Sequence, residues 1–414
     1  MAKICLLAPG QPSLDPRLVK EADALHEAGH QVQVLCSHII PWADATDREL
    51  LRTRSWTCTY VGGDHNGRRA EYWQTRLRYG LARRLPLAWP LNNGLRRYAL
   101  CRVLPELVEA AKSTQADLYI AHYTGALVAA AESAHANHAL FGFDAEDFET
   151  GYYPLATGPR PVDRLVERFE RRYLPRSAYM TASSRGIADA YKTKYGLPLP
   201  TTVLNVFPLA DRARDLRATE TDGPLRLYWF SQTIGPGRGL EDVLQAMGQL
   251  TGCNIELHLR GRWIAPYKEE VVRLAAKIGV FRDRIYSYDP RPQNEMVRLS
   301  AAYDVGLALE YKDTVNHDLC ISNKMCTYIL AGNAVVATAT RGQQPIIKTI
   351  GEGGFCYEPG DVNTLAGRLR LWYENRNLLE RARQESWDWG TRRFNWDLEK
   401  KTFLQTIEAV LNQR

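Results

Sequence analysis

Two doubly wound α/β domains are predicted for this chain of 414 residues, on three observations. Short apolar strands alternate with helical patterns in two separate series, as parallel sheets covered on both faces require. A polar segment ending in Gly223 and Pro224 parts the two series. The length, at roughly 150 residues per domain, accommodates two or three domains.

The first series opens with an apolar strand over 4–8, followed by a loop of Pro9, Gly10, Gln11, Pro12 and Ser13. Asp15 before Pro16 reads as a helix N-cap with proline at the first helical position. That helix carries Leu18, Ala22 and Leu25 on one face and stops at Gly29. Period-two alternation over 31–35 predicts a second strand. Apolar strands over 118–121 and 140–143 bracket a small-residue helix around 126–131. The second series places strands at 225–230, 255–259, 305–309 and 334–337. These limits give an amino-terminal domain over 1–208, a linker over 209–224 and a carboxy-terminal domain over 225–388.

Composition is that of a globular protein, 45% hydrophobic and 24% charged, with a net charge of +6. The amino end enters a strand directly, so no secretory leader is expected, and no apolar run approaches the ~20 residues of a bilayer span. Eight scattered cysteines form no C-x-x-C and have no histidines at zinc spacing. Reduced thiols in a cytoplasmic protein are the expectation. Walker, H-E-x-x-H, EF-hand and nucleophile-elbow patterns are absent from the sequence.

The most informative segment is Ser322, Asn323 and Lys324, followed by an apolar helix to Ala331, a turn at Gly332 and a strand. An amide, an ammonium and the free N–H groups of a helix start can together hold a phosphate. Upstream, the strand over 304–310 ends in Glu310 and a polar loop through Asn316, His317 and Asp318. Ligands of α/β sheets gather at such carboxyl ends of strands. Across the sheet top, Gly235, Gly237, Arg238 and Gly239 precede another helix, where glycines admit a ligand and Arg238 can fork onto a diphosphate. A tight turn and a solvated lysine are the bland alternatives. In the first domain, Asp144, Glu146, Asp147 and Glu149 cluster after one apolar strand and His122 ends another. Such groups are either a solvated acidic loop with a structural histidine or part of a site.

These residues resemble retaining GT-B glycosyltransferases close to glycosyltransferase family 4. The resemblance spans nearly the whole chain and is carried by the Pro16-Arg17 helix, Asp144 to Asp147, Asn205 to Pro208, Gly237 to Leu240, and Ser322 to Lys324 with Tyr328, Ala331 and Gly332. It implies two Rossmann-like domains facing a cleft, with the last helix, over 389–414, crossing back onto the first domain. It implies a nucleoside-diphosphate sugar as donor and a sugar or lipid-linked acceptor, in cell-surface polysaccharide or glycolipid assembly, with no metal or other cofactor required. Gly237, Arg238, Asn323 and Lys324 would hold the donor diphosphate. Gly10, Gln11, Gln232, Glu310, Asn316, Asp318, Ser322 and Thr327 would lie around its sugar and nucleotide, and His122, Asp144 and Glu146 would orient the acceptor. Three positions depart from the family: Gln232 stands where an arginine is usual, Thr327 where the second glutamate of a Glu-x7-Glu pair is usual, and Glu146 where a histidine is usual. The rival readings are a nucleotide-sugar epimerase of the same fold, and a non-catalytic protein that binds nucleotide sugars or nucleic acid.

One charge pattern stands apart from that site. Between Arg68 and Arg102 lie nine arginines against one acid, Glu71, a local excess larger than that of the whole chain. Arg69, Arg76 and Arg83 fall on one helical stripe beside Trp73, Leu77 and Leu81, and Pro86 ends the helix. A basic amphipathic helix with aromatic residues suits an anionic membrane surface, here the inner face of the membrane. Nucleic acid is not expected, because no recognition fold accompanies the arginines. The alternative is a solvated helix packed through its apolar stripe.

Overall fold

A computed structural model describes residues 1–84, 93–280 and 282–413; Pro86 lies outside the described residues. The chain divides into two compact units, Met1–Val203 with Lys400–Arg414, and Leu204–Glu399.

The first unit holds a seven-stranded, all-parallel sheet. Its strands are β1 (Lys3–Leu7), β2 (Gln31–Ser37), β3 (Thr57–Val61), β4 (Leu118–His122), β5 (Leu140–Ala145), β6 (Tyr179–Ala182) and β7 (Thr201–Thr202), in the order β3-β2-β1-β4-β5-β6-β7. The order reverses between β1 and β4, which makes the sheet doubly wound. β1 and β4 lie at its centre and are buried almost throughout, as strands with helices on both faces must be. Asp15 caps the helix Pro16–Glu27 by accepting a hydrogen bond from the Leu18 N–H at 3.0 Å, with Pro16 at the first helical position.

The second unit repeats the plan with six parallel strands: β8 (Leu225–Ile234), β9 (Ile255–Trp263), β10 (Ile285–Tyr288), β11 (Val305–Ala308), β12 (Ala334–Thr338) and β13 (Gly354–Tyr357). Their order is β10-β9-β8-β11-β12-β13, with the reversal between β8 and β11. Leu227, Trp229, Leu257, Val305, Leu307 and Val336 meet helix residues such as Leu244, Leu369 and Trp372 in one apolar core. Gly306 lets the Tyr328 ring lie on β11; a Cβ there would sit 2.1 Å from the ring.

Two sequence expectations change. β8 and β9 run on to Ile234 and Trp263, with an irregularity between Phe230 and Thr233, so Gln232 lies on an exposed stretch of strand rather than in a loop. The segment 209–224 is packed onto the second unit: the Arg212 guanidinium stacks 3.0 Å from the Trp387 ring centre, Arg217 pairs with Asp304, and the Thr219 N–H donates to Glu380.

All eight cysteines are free; Cys5, Cys36, Cys101 and Cys326 are buried and the other four half-buried. Among the described residues no helix is long and apolar enough to cross a membrane.

Candidate functional site

The second unit gathers its predicted residues at the carboxyl ends of β8 and β11. Glu310 follows β11 and is buried; its N–H donates to the Thr338 hydroxyl at 2.8 Å. Its Oε1 accepts from the Ser322 hydroxyl and from Lys324 Nζ, each at 3.0 Å. Burial raises the Glu310 pKa, but Lys324, and at longer range Arg238, outweigh it and hold the carboxyl below its usual range. Lys324 Nζ also lies 5.8 Å from the Trp229 ring centre.

Ser322 is the N-cap residue of the helix Asn323–Ala331, yet its hydroxyl turns to Glu310 and makes no cap. The first N–H groups of that helix therefore have no side-chain cap, beside a fixed ammonium. Gly239, the N-cap residue of the helix Leu240–Gln249, likewise caps nothing with a side chain. Gly237 and Gly239 both have φ of +72°, and a Cβ on Gly239 would approach Leu309 Cβ to 3.0 Å. Glycine is therefore dictated at 239 by conformation and space together.

Other predicted donor contacts are engaged elsewhere. The Thr327 hydroxyl is buried and donates to the Asn323 carbonyl at 2.9 Å. Asn316 is buried in the short helix Val315–Leu319. Asp318 accepts from the Arg341 N–H at 2.9 Å and from its guanidinium. In the first unit Gln11 is fully buried; its amide donates to Asp44 and Asp47 at 2.9 and 3.0 Å and accepts from the Ile39 and Ile40 N–H groups. Gln11 thus braces the loop after β1, with Gly10 half-buried beside it.

His122 and Asp144 are neighbours in register on β4 and β5, and both are buried. Arg17 Nε lies 2.9 and 2.8 Å from the two Asp144 oxygens, and Arg17 also donates to the Val203 carbonyl at 2.6 Å. Glu21, one turn along the same helix, lies 3.5 Å from Arg17 and 3.2 Å from His122 Nε2, while Asp15 lies 3.6 Å from His122 Nδ1. Burial pushes the Glu21 carboxyl up and the Asp144 charge adds to it. Asp144 goes the other way: burial raises it, but Arg17 and a hydrogen bond from Glu21 hold it ionised. Burial lowers the His122 pKa, but Asp15 and Glu21 outweigh it and carry it up to about 10. Asp144 thus faces Arg17, and His122 faces Asp15 and Glu21. Glu21, His122 and Asp144 bring their ligand atoms within 4.8 Å of one another, with the Arg17 guanidinium on the Asp144 oxygens.

Glu146 is the member of the predicted trio that reaches the surface, half-buried just past β5. Burial, then the charges of Asp15 and Asp147, push its carboxyl up to about 8. The Tyr123 hydroxyl lies 3.5 Å from its Oε2. Tyr123 follows His122 with φ of +67°, a costly conformation for a bulky residue and one that tends to mark functional sites.

Arg17's pairing, Glu21, Asp15 and Tyr123 were not singled out from the sequence as site residues. An Arg-Glu pair one turn apart beside an apolar helix face reads as solvated, and the partners sit more than a hundred residues away on β4 and β5. Positive φ at a non-glycine residue leaves no mark in sequence.

Residues 15–208 match the family model of the glycosyl transferase 4-like domain. The whole chain superposes on HepE of Anabaena in complex with UDP-glucose, with a TM-score of 0.68 at 16% identity, covering 99% of this chain and 100% of that one. Sucrose-phosphate synthase of Thermosynechococcus elongatus gives 0.72 at 15% identity over the full length of both, and the S. aureus MnaA-UDP complex gives 0.58 at 13%, covering 100% of this chain and 97% of that one. No curated protein matches the chain by sequence. With its two doubly wound sheets the chain has the fold of these structures, and its residues 15–208 are similar to the glycosyl transferase 4-like domain.

Proposed function

We propose that the chain transfers a sugar from a nucleoside-diphosphate sugar to an acceptor hydroxyl, with retention of configuration, in the assembly of a cell-surface polysaccharide or glycolipid. The observation that carries the donor half is Lys324, fixed on Glu310 and Ser322 at an uncapped helix start. The UDP and UDP-glucose bound in the HepE structures support the same choice of donor.

In this reading Arg238, Lys324 and two helix starts bind the diphosphate. The bond from the anomeric carbon to the diphosphate oxygen breaks, and these groups stabilise the negative charge as it builds on the leaving group, which is the main catalytic contribution. No metal is needed for that step. The acceptor oxygen forms the new bond on the same face, and its proton passes to the leaving diphosphate. Glu146 hydrogen-bonds the acceptor, while Arg17, Glu21, Asp144 and His122 hold the backbone that presents it.

A panel of nucleoside diphosphates in thermal-shift and calorimetric assays tests the donor half. One member at a hundredfold excess over its Kd adds about 2.7 kcal/mol to folded stability. No stabilisation by any member would overturn the reading. Donor consumption without any acceptor would replace transfer by epimerisation.

A further inference from the structure

The basic helix Arg69–Arg84 packs on the first unit through the face opposite to its apolar stripe. Tyr72, Thr75 and Ala82 are its buried residues, whereas Trp73, Leu77 and Leu81, spaced four apart on one face, are 63%, 65% and 56% exposed. The apolar stripe faces outward and the helix is not held by it.

Seven of the nine arginines of this region divide into two sets. Arg78 pairs with Glu106 at 2.6 Å, Arg97 with Glu132 at 2.9 Å, and Arg68 with Glu71 at 3.3 Å. Arg102 donates to the Gly62 and His38 carbonyls and to the Thr75 hydroxyl. Arg69 and Arg76 instead bond a backbone carbonyl and a tyrosine hydroxyl, and Arg83 bonds another tyrosine. Among the described residues their charge has no carboxylate partner, and it borders the outward stripe; Arg76 lies 5.5 Å from the Trp73 ring centre. Arg102 also ties this helix to the segment after β2, where Ile39 and Trp42 are 46% and 52% exposed.

We infer that this face, built from Arg69, Trp73, Arg76, Leu77, Leu81 and Arg83, docks the first unit on an anionic bilayer. Outward apolar side chains flanked by uncompensated arginines match the acyl boundary and charged headgroups of such a surface. A soluble partner protein would ordinarily answer these arginines with carboxylates, and a second copy of this face would repeat its positive charge. The inference deepens the glycosyl-transfer reading and rests on it only for the further step that the acceptor is carried in the lipid.

Co-sedimentation of the full chain with vesicles of phosphatidylglycerol and phosphatidylcholine, against phosphatidylcholine alone, tests it. At low salt the anionic vesicles pellet at least tenfold more protein, and 0.5 M salt removes most of the difference. Trp73→Ser with Leu77→Ser and Leu81→Ser abolishes pelleting, and so does Arg69→Glu with Arg76→Glu and Arg83→Glu. Nucleoside-diphosphate binding, measured in the same preparations, stays unchanged and reports that both variants are folded. Equal pelleting with neutral vesicles, or no loss in either variant, overturns the inference. So does a wild-type dimer in sedimentation equilibrium that the serine variant dissociates, with no vesicle binding. Loss of vesicle binding with nucleotide binding intact leaves the donor reading standing; the converse removes only that reading.

Discussion

Glu310 Oε1 receives Lys324 Nζ at 3.0 Å, joining the end of β11 to the first turn of the helix that begins at Asn323. The pair positions the ammonium at the helix start and also keeps a buried carboxylate from standing alone. Lys324→Ala therefore has two effects. It lowers folded stability by about 3 kcal/mol, because an unpaired buried charge remains, and it weakens nucleoside-diphosphate binding by about 1.5–3 kcal/mol. Pairing Lys324→Ala with Glu310→Gln restores most of the stability and none of the affinity. Denaturant titration and calorimetry on the three proteins separate the effects, and affinity recovered with stability would make Lys324 a structural residue only.

Gly239 and Gly237 share a φ of +72°, but only Gly239 meets a neighbour, Leu309, where a Cβ would stand. An L-residue in the left-handed region costs about 1–2 kcal/mol. Gly237→Ala is expected to lose about that much stability. Gly239→Ala loses more, and shifts the turn that carries Arg238, so nucleoside-diphosphate affinity falls as well. Equal unfolding midpoints for the two variants would mean that Leu309 yields freely.

Strands at the centre of each sheet were legible because continuous apolar runs such as 118–121 and 334–337 have few other destinations in a parallel sheet. The edge strands β3, β7, β10 and β13, and β6 beside an edge, were not: residues such as Thr57, Thr59, Thr201, Tyr286 and Ser287 mix with apolar ones without a clean period. At the site, Lys324 and Arg238 were readable from helix-start chemistry. The packing of Thr327 and Gln11 was not: both look like surface polar residues until the Asn323 carbonyl or Asp44 and Asp47 come into reach. The basic helix shows the same limit. Its period revealed two stripes, yet the helix packs through neither: the buried face is set by Tyr72 and Thr75 meeting Arg102 and by Thr75 meeting Gly62, contacts that no local pattern carries.

Asp144 and Glu146 lie two residues apart and are expected to fail differently. Asp144→Asn breaks a buried pair with Arg17 and lowers folded stability by about 3–5 kcal/mol. Glu146→Gln keeps size and hydrogen bonding at a half-buried position, so its melting temperature stays near that of the parent. Its transfer rate falls by about 10–10², the loss of one hydrogen bond to a charged group, with nucleoside-diphosphate affinity unchanged. A full transfer rate in Glu146→Gln would take the acceptor role away from that carboxyl.

His122 makes the fold sensitive to alkaline pH. Its folded pKa is about 10 against an ordinary 6.5, because Asp15 and Glu21 outweigh the cost of burial. A raised folded value means that the stabilisation is complete below about pH 6.5 and disappears as pH rises toward 10. Within that window each unit of pH removes up to about 1.4 kcal/mol. The melting temperature of the parent is expected to fall between pH 7 and pH 10. His122→Gln, which cannot carry the charge, melts lower at pH 6 and loses much less over the same interval. Melting curves of both proteins at half-unit pH steps decide the matter: parallel declines would show that His122 is neutral in the folded chain, and that Asp15 is balanced by some other group.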